Sequence, residues 1–582
     1  MSGRQAVFRA DSSTAIGSGH VMRCLTLADA LARQDWGVSF VCRELPGDMT
    51  AAIAARGYKV HRLPGRECPD ADAARDEYGR WLGVSQATDA AETAAVLHAL
   101  GPVALLVVDQ YALDECWEKR VKPLAARLLV IDDLANRRHD CDFLLDQNLG
   151  WQSKDYRALV PAGCELLLGT GYALLRPEFA ALRGGNRRRD GMVRRLLVFF
   201  GGGDTGNETG KALAAVKASG AAVAVDVVLG AGNPHRGEIE KLCAGWAQAT
   251  VYCTTPAMAE LMAAADLAIG GCGSATWERC SLGLPAICTT IAANQEPIAA
   301  AAAEAGAVLY LGKAPDVGPP DIEKALTRLL AEPETVRRMA ARAAGLVDGY
   351  GTERVARALG LASYKVTIVS GADNWMNAHI PALIAALGER GHTVGLVHKV
   401  KDIPAGDWVF LLGCGEIVPP AILARNRHNI VVHASALPRG RGWSPLNWQI
   451  AAGVNSIPVT MFEAAPELDS GDIYAAETLA FAGCELLDEL RLALAAATVR
   501  LCLKFADDYP DIVAGRTPQE GEASYFRRRT GADSRLDAGK TLAEQFNLLR
   551  AVDNEAYPAY FELNGCKYIL KIYRDRAKDG LS

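Results

Sequence analysis

The chain has 582 residues, half of them apolar and 22% charged, and its formal net charge is −6 at pH 7. This length exceeds what one hydrophobic core accommodates, so we expect three or four domains. The acidic balance argues against a protein whose main partner is nucleic acid. The fifteen cysteines form neither a Cys-x-x-Cys pair nor a Cys/His cluster with zinc spacing, so we predict no metal site.

No apolar run approaches the length that spans a membrane, and the first residues lack the apolar segment of a secretory signal. Many cysteines lie inside apolar patterns, which is typical of small buried side chains in a reducing compartment. We therefore expect a cytoplasmic protein with no membrane partner.

Residues 1–182 alternate short apolar runs with helical patterns, which predicts a βαβ series and a doubly wound parallel sheet. Several of these runs end in aspartate, and functional sites gather at the carboxyl ends of buried parallel strands. The predicted strands are 6–9, 38–42, 104–108, 128–131 and 143–145, and the aspartates are Asp109, Asp132, Asp133 and Asp146.

A glycine-rich turn follows the first predicted strand and precedes a helical pattern. Gly17 and Gly19 let the backbone turn sharply and bring its N–H groups close to a ligand. His20 is the titratable group at this turn, so we predict that it is a general base beside a phosphate-rich substrate. The alternative is a solvated loop histidine, because a lone Gly-x-Gly-His turn is a weak signal.

A second series of strands and helices follows over 192–360, after a basic, glycine-rich stretch at 182–192 that we interpret as a linker. Two of its turns are rich in glycine, at Gly202 and at Gly273. Two Rossmann-like domains with facing glycine-rich turns form a glycosyltransferase-B-like architecture, in which the substrate lies in the cleft between them.

The second of these turns opens a helix. Ser274 and Thr276 lie where free N–H groups and the helix dipole would bind a diphosphate, and Glu278 would accept hydrogen bonds from a ribose diol. The alternative is that Ser274 only caps the helix and that Glu278 only complements its dipole.

Five motifs in this part of the chain resemble, in order, those of the UDP-sugar hydrolases of pseudaminic acid biosynthesis. That family removes UDP from a bacillosamine-derived altrose sugar and has a glycosyltransferase-B fold, with water as the acceptor. The resemblance covers residues 1–360, and its motifs lie at 9–25, 132–142, 146–150, 171–179 and 273–285.

The resemblance implies that His20 activates the water that attacks the anomeric carbon and that UDP is the leaving group. It implies that Glu278 holds the ribose and that Asn294 contacts the sugar or the diphosphate. It assigns substrate binding, or support of His20, to a larger set: Arg9, Asp11, Gly17, Gly19, Arg23, Gly202, Gly273, Ser274, Thr276 and Gln295.

A third α/β series occupies 364–505. A helical pair over 333–348 is predicted to end the preceding part, followed by a break at 348–352 and a linker at 360–364. The new strand at 365–369 is not followed by a Gly-x-Gly-x-x-Gly turn, so a dinucleotide cofactor is not indicated.

His433 ends a predicted strand beside a loop rich in proline and glycine, and Asp469 lies at a turn farther along the chain. If the two side chains meet, Asp469 orients the imidazole or relays a proton. The alternative is a core histidine and a turn-forming aspartate.

The pattern around His433 resembles that of the folate-dependent formyltransferases, which act on methionyl-tRNA and on sugar amines. The resemblance implies a formyl-tetrahydrofolate donor and an amine acceptor. It implies that His433 and Asp469 polarise the formyl group, stabilise its oxyanion and move the amine proton. It covers 365–505 and extends to three further residues of the site, Ser435, Pro438 and Gly442.

One position departs from that family. Val431 stands where the family has an asparagine, two residues before the histidine. Asn429 lies on the same side of a regular strand, two residues further back, and reaches the formyl oxygen only if a bulge shifts it. We expect a rearranged oxyanion donor, because the rest of the motif is intact.

Residues 506–582 are predicted to form a small α+β appendix, with a helix over 542–549 and a hairpin that turns at Asn564-Gly565. Its charges are too balanced for strong tRNA binding, and we interpret the basic run 527–529 as a solvated face. The acceptor is therefore expected to be a nucleotide sugar. We also expect a homodimer through this half of the chain.

These features predict an α/β protein: a glycosyltransferase-B-like pair of Rossmann-like domains, then a formyltransferase Rossmann-like domain with a small α+β appendix. We expect a bifunctional enzyme of pseudaminic acid-type nonulosonic acid biosynthesis, of the kind that serves flagellin glycosylation. It would N-formylate a UDP-4-amino-sugar and hydrolyse the product to UDP and the free hexose. The alternatives are a glycosyltransferase with a sugar or lipid acceptor and a formyltransferase-like half that binds without catalysis.

Overall fold

The computed structural model describes residues 4–65, 78–184 and 189–575 of the chain. The chain divides into two units, Met1–Ala362 (unit 1) and Ser363–Ser582 (unit 2). Within the described residues, no helix combines the length and the apolar character needed to cross a bilayer. The same residues contain no group of three or more His, Cys, Asp or Glu side chains placed to hold a metal ion.

Unit 1 contains two parallel sheets. The strands of the first are β1 (Gln5–Ala10), β2 (Gly37–Arg43), β3 (Lys59–Leu63), β4 (Leu105–Asp109), β5 (Leu128–Ile131), β6 (Phe143–Asp146) and β7 (Glu165–Leu168). The helices of this part are α1 (Gly19–Ala32), α2 (Thr50–Ala55), α3 (Gln86–Leu100), α4 (Glu115–Val121), α5 (Ser153–Tyr156) and α6 (Pro177–Gly184). The strand order is β3-β2-β1-β4-β5-β6-β7.

The inner strands of this sheet are buried on both faces, as expected where helices cover a parallel sheet on each side. Val7 of β1 packs with Val41 in one core, and Phe8 packs with Phe40 in the other. The strand order reverses between β1 and β4, and open sheets bind ligands in the crevice at such a point. The first sheet therefore presents its binding edge where α1 begins.

All five strands predicted for this region are present, whereas β3 and β7 carry too weak a signal to be predicted. Both are edge strands of the sheet. β3 contains Lys59, His61 and Arg62, and β7 begins at the exposed Glu165. One side of an edge strand faces solvent, so polar residues replace the apolar run that identifies a central strand.

The second sheet has six parallel strands in the order β10-β9-β8-β11-β12-β13, so its order reverses between β8 and β11. These strands are β8 (Arg195–Phe199), β9 (Ala224–Leu229), β10 (Ala249–Cys253), β11 (Leu267–Gly271), β12 (Ala286–Thr290) and β13 (Val308–Lys313). The helices are α7 (Glu208–Ala218), α8 (Arg236–Cys243), α9 (Met258–Ala264), α10 (Ala275–Ser281), α11 (Glu296–Glu304), α12 (Pro319–Ala331), α13 (Pro333–Leu346) and α14 (Gly351–Ala358).

The helical pair predicted over 333–348 is wrong: this stretch forms the single helix α13, and the next helix, α14, begins only at Gly351. Apolar residues of α14 and of the segment after it pack in the core of the first sheet, among them Val355, Leu359 and Leu361. The chain therefore returns from the second sheet to the first before unit 1 ends, so the packing of the first domain does not stop at the predicted boundary of 182.

Unit 2 contains a six-stranded sheet in the order β15-β14-β16-β17-β19-β20, of which β14 to β17 are parallel and β19 and β20 antiparallel. The strands of unit 2 are β14 (Lys365–Val369), β15 (Thr393–Val397), β16 (Gly406–Leu411), β17 (Asn426–His433), β18 (Arg441–Gly442), β19 (Ser456–Glu463), β20 (Ile473–Ala480), β21 (Tyr525–Phe526), β22 (Ala559–Leu563) and β23 (Cys566–Leu570). Its helices are α15 (Ile380–Glu389), α16 (Pro420–Leu423), α17 (Pro445–Ala451), α18 (Leu487–Asp508), α19 (Asp511–Ala514) and α20 (Phe546–Arg550).

The segment predicted as an appendix is built into the rest of unit 2. β21 pairs in parallel with β18, which belongs to the loop after His433. The predicted hairpin is confirmed as β22 and β23, and both turn residues, Asn564 and Gly565, have positive φ. The helix predicted over 542–549 is present as the shorter α20, which begins at Phe546 and ends at Arg550.

His139 of unit 1 is buried beside two carboxylates. Its Nδ1 lies 2.7 Å from Oε1 of Glu118, and its Nε2 lies 3.8 Å from Oδ2 of Asp132. Burial by itself would lower the pKa of His139, but these carboxylates raise it to about 9. The ring is therefore protonated at neutral pH.

We expect the free energy of unfolding to fall as the pH rises from neutrality to about 10. The pKa of His139 is about 9 in the folded protein and 6.5 in the unfolded chain, so the protonated ring stabilises the fold. This contribution is complete below pH 6.5 and is lost as the pH rises through about 9. It is of the order of 3 kcal/mol. Urea denaturation at the two pH values measures the change. His139→Gln should reduce the difference between them and the exposed His98→Gln should not; an undiminished difference in His139→Gln contradicts the prediction.

Candidate active sites

His20 and Asp109 meet at the point where the strand order of the first sheet reverses. His20 lies in the first turn of α1, after β1, and Asp109 ends β4. Nδ1 of His20 lies 2.5 Å from Oδ1 of Asp109, and the side chains are 8% and 0% exposed. A carboxylate only accepts, so Nδ1 carries the proton and Nε2 is the basic nitrogen. This geometry suits the predicted general base.

Arg23 and Asp133 complete an ion cluster around this pair. Arg23 donates from Nε to Oδ2 of Asp109 at 2.6 Å and from Nη1 to Oδ2 of Asp133 at 3.1 Å. Burial by itself would raise the pKa of Asp109, but Arg23 and His20 hold it well below its ordinary value. Asp109 is therefore a fixed negative charge, which would stabilise an imidazolium at His20 if this residue is the predicted general base.

Buried hydrogen bonds connect this cluster with the second sheet of unit 1. Nδ2 of Asn148 donates to Oδ2 of Asp133 at 2.9 Å. Nε1 of Trp277, in α10, donates to Oδ1 of the same Asn148 at 2.7 Å. Trp277 is fully buried. The helix that begins at the predicted diphosphate turn is thus tied to the predicted general base through named polar contacts.

Aromatic side chains form a wall beside the His20 ring. The Tyr111 ring lies edge-on to His20 with centroids 4.5 Å apart, and Trp81 stacks on Tyr111 at 5.7 Å. The Tyr111 hydroxyl donates to Asp133, and Nδ2 of Asn294 donates to that hydroxyl at 3.5 Å. The structure therefore brings the predicted substrate-binding Asn294 to the same place as His20.

The glycine-rich turns of the two sheets face each other, as predicted. A Cβ on Gly19 would lie 3.8 Å from Oγ of Ser274, and a Cβ on Gly202 would lie 3.0 Å from Oγ of Ser18. Gly17 has a φ of +80°, a conformation that favours glycine. The turn before α1 therefore lies against both turns of the second sheet, and a side chain at Gly202 would require the Ser18 side chain to shift.

Residues of the predicted diphosphate turn differ in how accessible they are. Ser274 precedes α10, and its side chain makes no capping hydrogen bond. A Cβ on Gly273 would lie 3.5 Å from Nε2 of Gln295, so these two predicted residues are neighbours. Thr276 is fully buried, and its hydroxyl accepts from Nη2 of Arg279 at 3.1 Å. We therefore interpret Thr276 as a support of the turn.

Glu278 has an ion-pair partner that the sequence does not reveal. Nη2 of Arg176 lies 3.6 Å from Oε1 of Glu278, and its Nη1 lies 3.2 Å from Oε1 of Glu178. Burial raises the pKa of Glu278, although Arg176 opposes the shift. Arg176 therefore keeps in place the carboxylate that is predicted to hold a ribose.

Arg9 and Asp11 belong to a separate buried ion network. Arg9 donates to Asp11 at 2.6 Å and to Asp89 at 2.7 Å, and none of these side chains is exposed. Asp11 also accepts from the backbone N–H of Arg43 at 2.8 Å. With no exposed surface to meet a sugar, Arg9 and Asp11 are interpreted as residues that support the turn carrying His20.

Unit 2 contains a cavity of about 560 Å³ at the carboxyl ends of β14, β16 and β17. Its volume lies within the usual range of small-molecule sites. Asn374, Val431, His433 and Asp469 are among the residues that line it. The two predicted catalytic residues of this half are therefore brought to one cavity, His433 at the end of β17 and Asp469 in the loop between β19 and β20.

The predicted pair of His433 and Asp469 is close but not hydrogen-bonded, because Nε2 and Oδ2 are 3.9 Å apart. Nε2 of His433 instead donates to the carbonyl of Gly440 at 2.8 Å, and Oδ2 of Asp469 accepts from the N–H of Gly442 at 2.8 Å. A carbonyl only accepts, so Nε2 carries the proton and Nδ1 is the basic nitrogen. Asp469 thus orients the imidazole through the loop between them.

The other motif residues shape this loop. A Cβ on Gly442 would lie 2.4 Å from the carbonyl oxygen of Phe526, so only glycine fits. Pro438 is buried, and its carbonyl accepts from the N–H of Ser524 at 3.3 Å. The hydroxyl of Ser435 is buried and has no hydrogen-bond partner among the described residues. Ser435 is not among the residues that line the cavity, so this hydroxyl is not in contact with the space where a co-substrate would lie.

The bulge that would let Asn429 replace the family asparagine is absent from the described part of β17. Leu411 pairs with Val431 and Val409 with Asn429 in a constant register. Asn429 does not line the cavity, and its Nδ2 donates to the carbonyl of Leu423 at 3.0 Å. Asn429 therefore does not supply the oxyanion donor in this structure, because two residues of a regular strand span about 6.6 Å.

Several residues of both sites carry no local sequence signal. Asp109 and Asp133 could be suspected only as strand-end aspartates. Asn374 follows β14, and Arg528 belongs to a run interpreted as solvated, yet both line the cavity of unit 2. Their roles depend on contacts between distant segments, which periodicity and spacing do not encode.

Comparison with known proteins relates the two units to different enzymes. The formyl transferase family model matches residues 385–497, which include His433 and Asp469. The chain is 30% identical over 205 residues to the UDP-2,4-diacetamido-2,4,6-trideoxy-β-L-altropyranose hydrolase of Campylobacter jejuni, a match that covers 35% of this chain and 62% of that protein. It is 32% identical over 161 residues to the methionyl-tRNA formyltransferase of Alcanivorax borkumensis, covering 27% of this chain and 48% of that protein.

The chain thus spans 62% and 48% of the lengths of these two relatives. Among solved structures, Acinetobacter baumannii MurG is similar at 15% identity and a TM-score of 0.42, over 61% of this chain and 99% of MurG. A 4-N formyltransferase from Francisella tularensis is similar at 20% identity and a TM-score of 0.32, over 37% of this chain and 98% of that one. The sequence matches to a hydrolase and to a formyltransferase fit a fusion of two modules.

Proposed function

We propose that the chain is a bifunctional enzyme that acts on a UDP-linked amino sugar. Unit 1 hydrolyses the bond between the sugar and the diphosphate, and unit 2 transfers a formyl group from formyl-tetrahydrofolate to the sugar amine. One observation carries the proposal: each unit holds a histidine at the carboxyl edge of its sheet, with one ring nitrogen donating to a fixed acceptor and the other left basic.

In the hydrolysis, Nε2 of His20 takes a proton from water as the water oxygen bonds to the anomeric carbon. The bond between that carbon and the diphosphate oxygen breaks, and UDP leaves with the electron pair. Asp109 stabilises the imidazolium, and the turn at Gly273 and Ser274 receives the phosphates. Asn294 and Glu278 would contact the sugar or diphosphate and the ribose, respectively.

In the formyl transfer, the folate donor supplies the formyl group. The amine nitrogen of the sugar bonds to the formyl carbon, and the bond from that carbon to the folate nitrogen breaks. We assign to Nδ1 of His433 the role of accepting the amine proton and passing it to the departing folate nitrogen, and to Asp469 that of holding the loop beside the imidazole through the N–H of Gly442. With Val431 in place of an amide side chain, we assign contact with the formyl oxygen to Asn374, which lines the cavity and has one Nδ2 hydrogen besides the one donated to the carbonyl of Gly413.

We place this enzyme in pseudaminic acid-type nonulosonic acid biosynthesis, in the cytoplasm, with flagellin glycosylation as its downstream use. Formylation precedes hydrolysis, because a nucleotide-linked sugar is the common substrate of the two units. The product is UDP and a free N-formylated 2,4-diamido-trideoxyhexose. We expect no metal, membrane or nucleic-acid partner, and a homodimer through unit 2.

A mass-spectrometric time course tests the proposal. The full-length chain receives the UDP-4-amino-sugar with or without formyl-tetrahydrofolate. We expect a species heavier by one formyl group only when the donor is present, followed by UDP and the free N-formyl hexose. A chain that forms no formylated species and releases no UDP contradicts both assignments.

Val431 favours a second candidate for unit 2, in which it binds folate and sugar without transferring the formyl group. The alternative for unit 1 is a glycosyltransferase. The same time course separates the two. Release of UDP without any added acceptor argues against a glycosyltransferase, and folate binding without a formylated product argues for a non-catalytic unit 2.

A further inference from the structure

Part of the lining of the unit 2 cavity comes from the segment that the sequence presents as an appendix. Arg528, Thr530, Ser534, Asp553 and Tyr557 are among its lining residues. Tyr557 is 47% exposed. One wall of the site thus comes from a part of the chain outside residues 385–497, which match the formyl transferase model.

Backbone pairing determines where the basic run 527–529 lies. The strand pair β18–β21 aligns Gly442 with Phe526, and the N–H of Trp443 donates to the carbonyl of Phe526 at 3.0 Å. Nε1 of Trp448 donates to the carbonyl of Arg527 at 2.9 Å. The positions of these arginines are therefore set by hydrogen bonds and are not those of a loose surface loop.

The three arginines alternate between two tryptophan rings, as successive side chains of an extended segment do. Arg527 and Arg529 lie over Trp448, with guanidinium carbons 4.9 Å and 5.6 Å from its ring centroid. Arg528 lies over Trp443 at 5.3 Å and lines the cavity. Arg529 lines the cavity as well, so the run presents two neighbouring arginines to the site, and Arg528 is the one stacked on Trp443.

The flanking arginines have polar partners and the middle one does not. Arg527 pairs with Asp533, and Nη1 of Arg529 donates to the carbonyl of Ala551 at 2.9 Å. Throughout the described ranges, no carboxylate or carbonyl oxygen accepts a hydrogen bond from the Arg528 guanidinium. Arg528 is exposed and lies over the face of the Trp443 indole, so its N–H donors are available to a ligand.

We propose that Arg528, held against Trp443, binds the diphosphate of the nucleotide-sugar acceptor, an inference that rests on the proposed function of unit 2. Trp443 directly follows Gly442, whose N–H donates to Asp469 at 2.8 Å. The anion site therefore lies next to the catalytic end of the cavity. A sugar diphosphate carries its charge one ring away from the reacting amine, whereas the carboxylates of a folate lie beyond the aromatic ring of its tail.

Formylation kinetics of the full chain test this assignment, in a His20→Ala background so that the acceptor is not hydrolysed. In Arg528→Gln we expect the KM for the UDP-4-amino-sugar to rise about tenfold or more, because a charge-assisted hydrogen bond to phosphate is lost. The KM for formyl-tetrahydrofolate and the thermal midpoint should stay unchanged, and Arg528→Lys should recover part of the affinity. With the same amino sugar lacking its nucleotide, the parent chain and Arg528→Gln should have equal KM values.

Arg527→Gln is the matched control, because it removes a neighbouring arginine that already has a carboxylate partner, and its KM for the acceptor should not change. A rise in the KM for the folate alone overturns the inference and assigns Arg528 to the donor. Unchanged KM values for both substrates overturn it as well. A parent chain that formylates neither acceptor overturns the proposed function, which is a distinct result from a formylating chain that is insensitive to Arg528.

Discussion

Replacing His20 by alanine is expected to slow the release of UDP from the UDP-sugar by roughly 100- to 10,000-fold. The side chain is the proposed base for water, and its Nδ1 is held by Asp109 at 2.5 Å. Its removal leaves the glycine-rich turns and the aromatic wall in place, so the KM for the sugar nucleotide should change little. Initial rates of UDP release with the N-formylated substrate measure the effect.

Formyl transfer by the same His20→Ala chain is the internal control and should be unaffected, because Ser363–Ser582 forms its own sheet and cavity. His20→Gln keeps the volume and polarity of the side chain without a basic nitrogen, so it should be as slow as the alanine variant. A glutamine variant that retains most of the UDP release would mean that His20 orients the substrate and does not accept the proton.

Replacing His433 by alanine is expected to reduce formyl transfer by roughly 100- to 10,000-fold while UDP release continues. The ring nitrogen that remains basic is the proposed acceptor of the amine proton, and the residue lines the cavity of unit 2. Mass spectrometry of the sugar nucleotide, with an excess of formyl-tetrahydrofolate, measures the rate of the formylated species.

His428→Ala is a matched control, since His428 lies on the same strand but contacts Glu463 and does not line the cavity. It should keep formyl transfer at any temperature at which it stays folded. Equal losses in the two variants would indicate that β17 has been disturbed and would remove the case for His433 as a proton acceptor. A loss of UDP release in His433→Ala would contradict two independent active sites.

The sequence alone was sufficient for the features that depend on local pattern. Apolar runs alternating with helical patterns predicted the parallel sheets, and the central strands lie where they were expected. Two turns were predictable because each needs a backbone conformation that few residue types adopt. They are the turn at Gly17 and Gly19 and the turn of the hairpin at Asn564 and Gly565. The two histidines were identifiable because each stands beside such a turn at a strand end.

Only the tertiary structure decided which distant residues serve these histidines. Asp109 is 89 positions from His20, and the strand order places β4 beside β1. The constant register of β17 excluded Asn429 as a donor, a question that the sequence left open.

The other features that the sequence did not predict also depend on contacts between distant segments. Edge strands lack the apolar pattern because one side of them faces solvent. Helix α14 packs in the core of the first sheet, and no local sequence pattern predicts these contacts. In the sequence, Arg528 and its basic neighbours cannot be distinguished from arginines of a solvated surface. Only the pairing of β18 with β21 brings Arg528 to the lining of a cavity. Local conformation follows from each residue and its near neighbours, whereas a site depends on which strands become adjacent, and that is settled by the packing of the whole sheet.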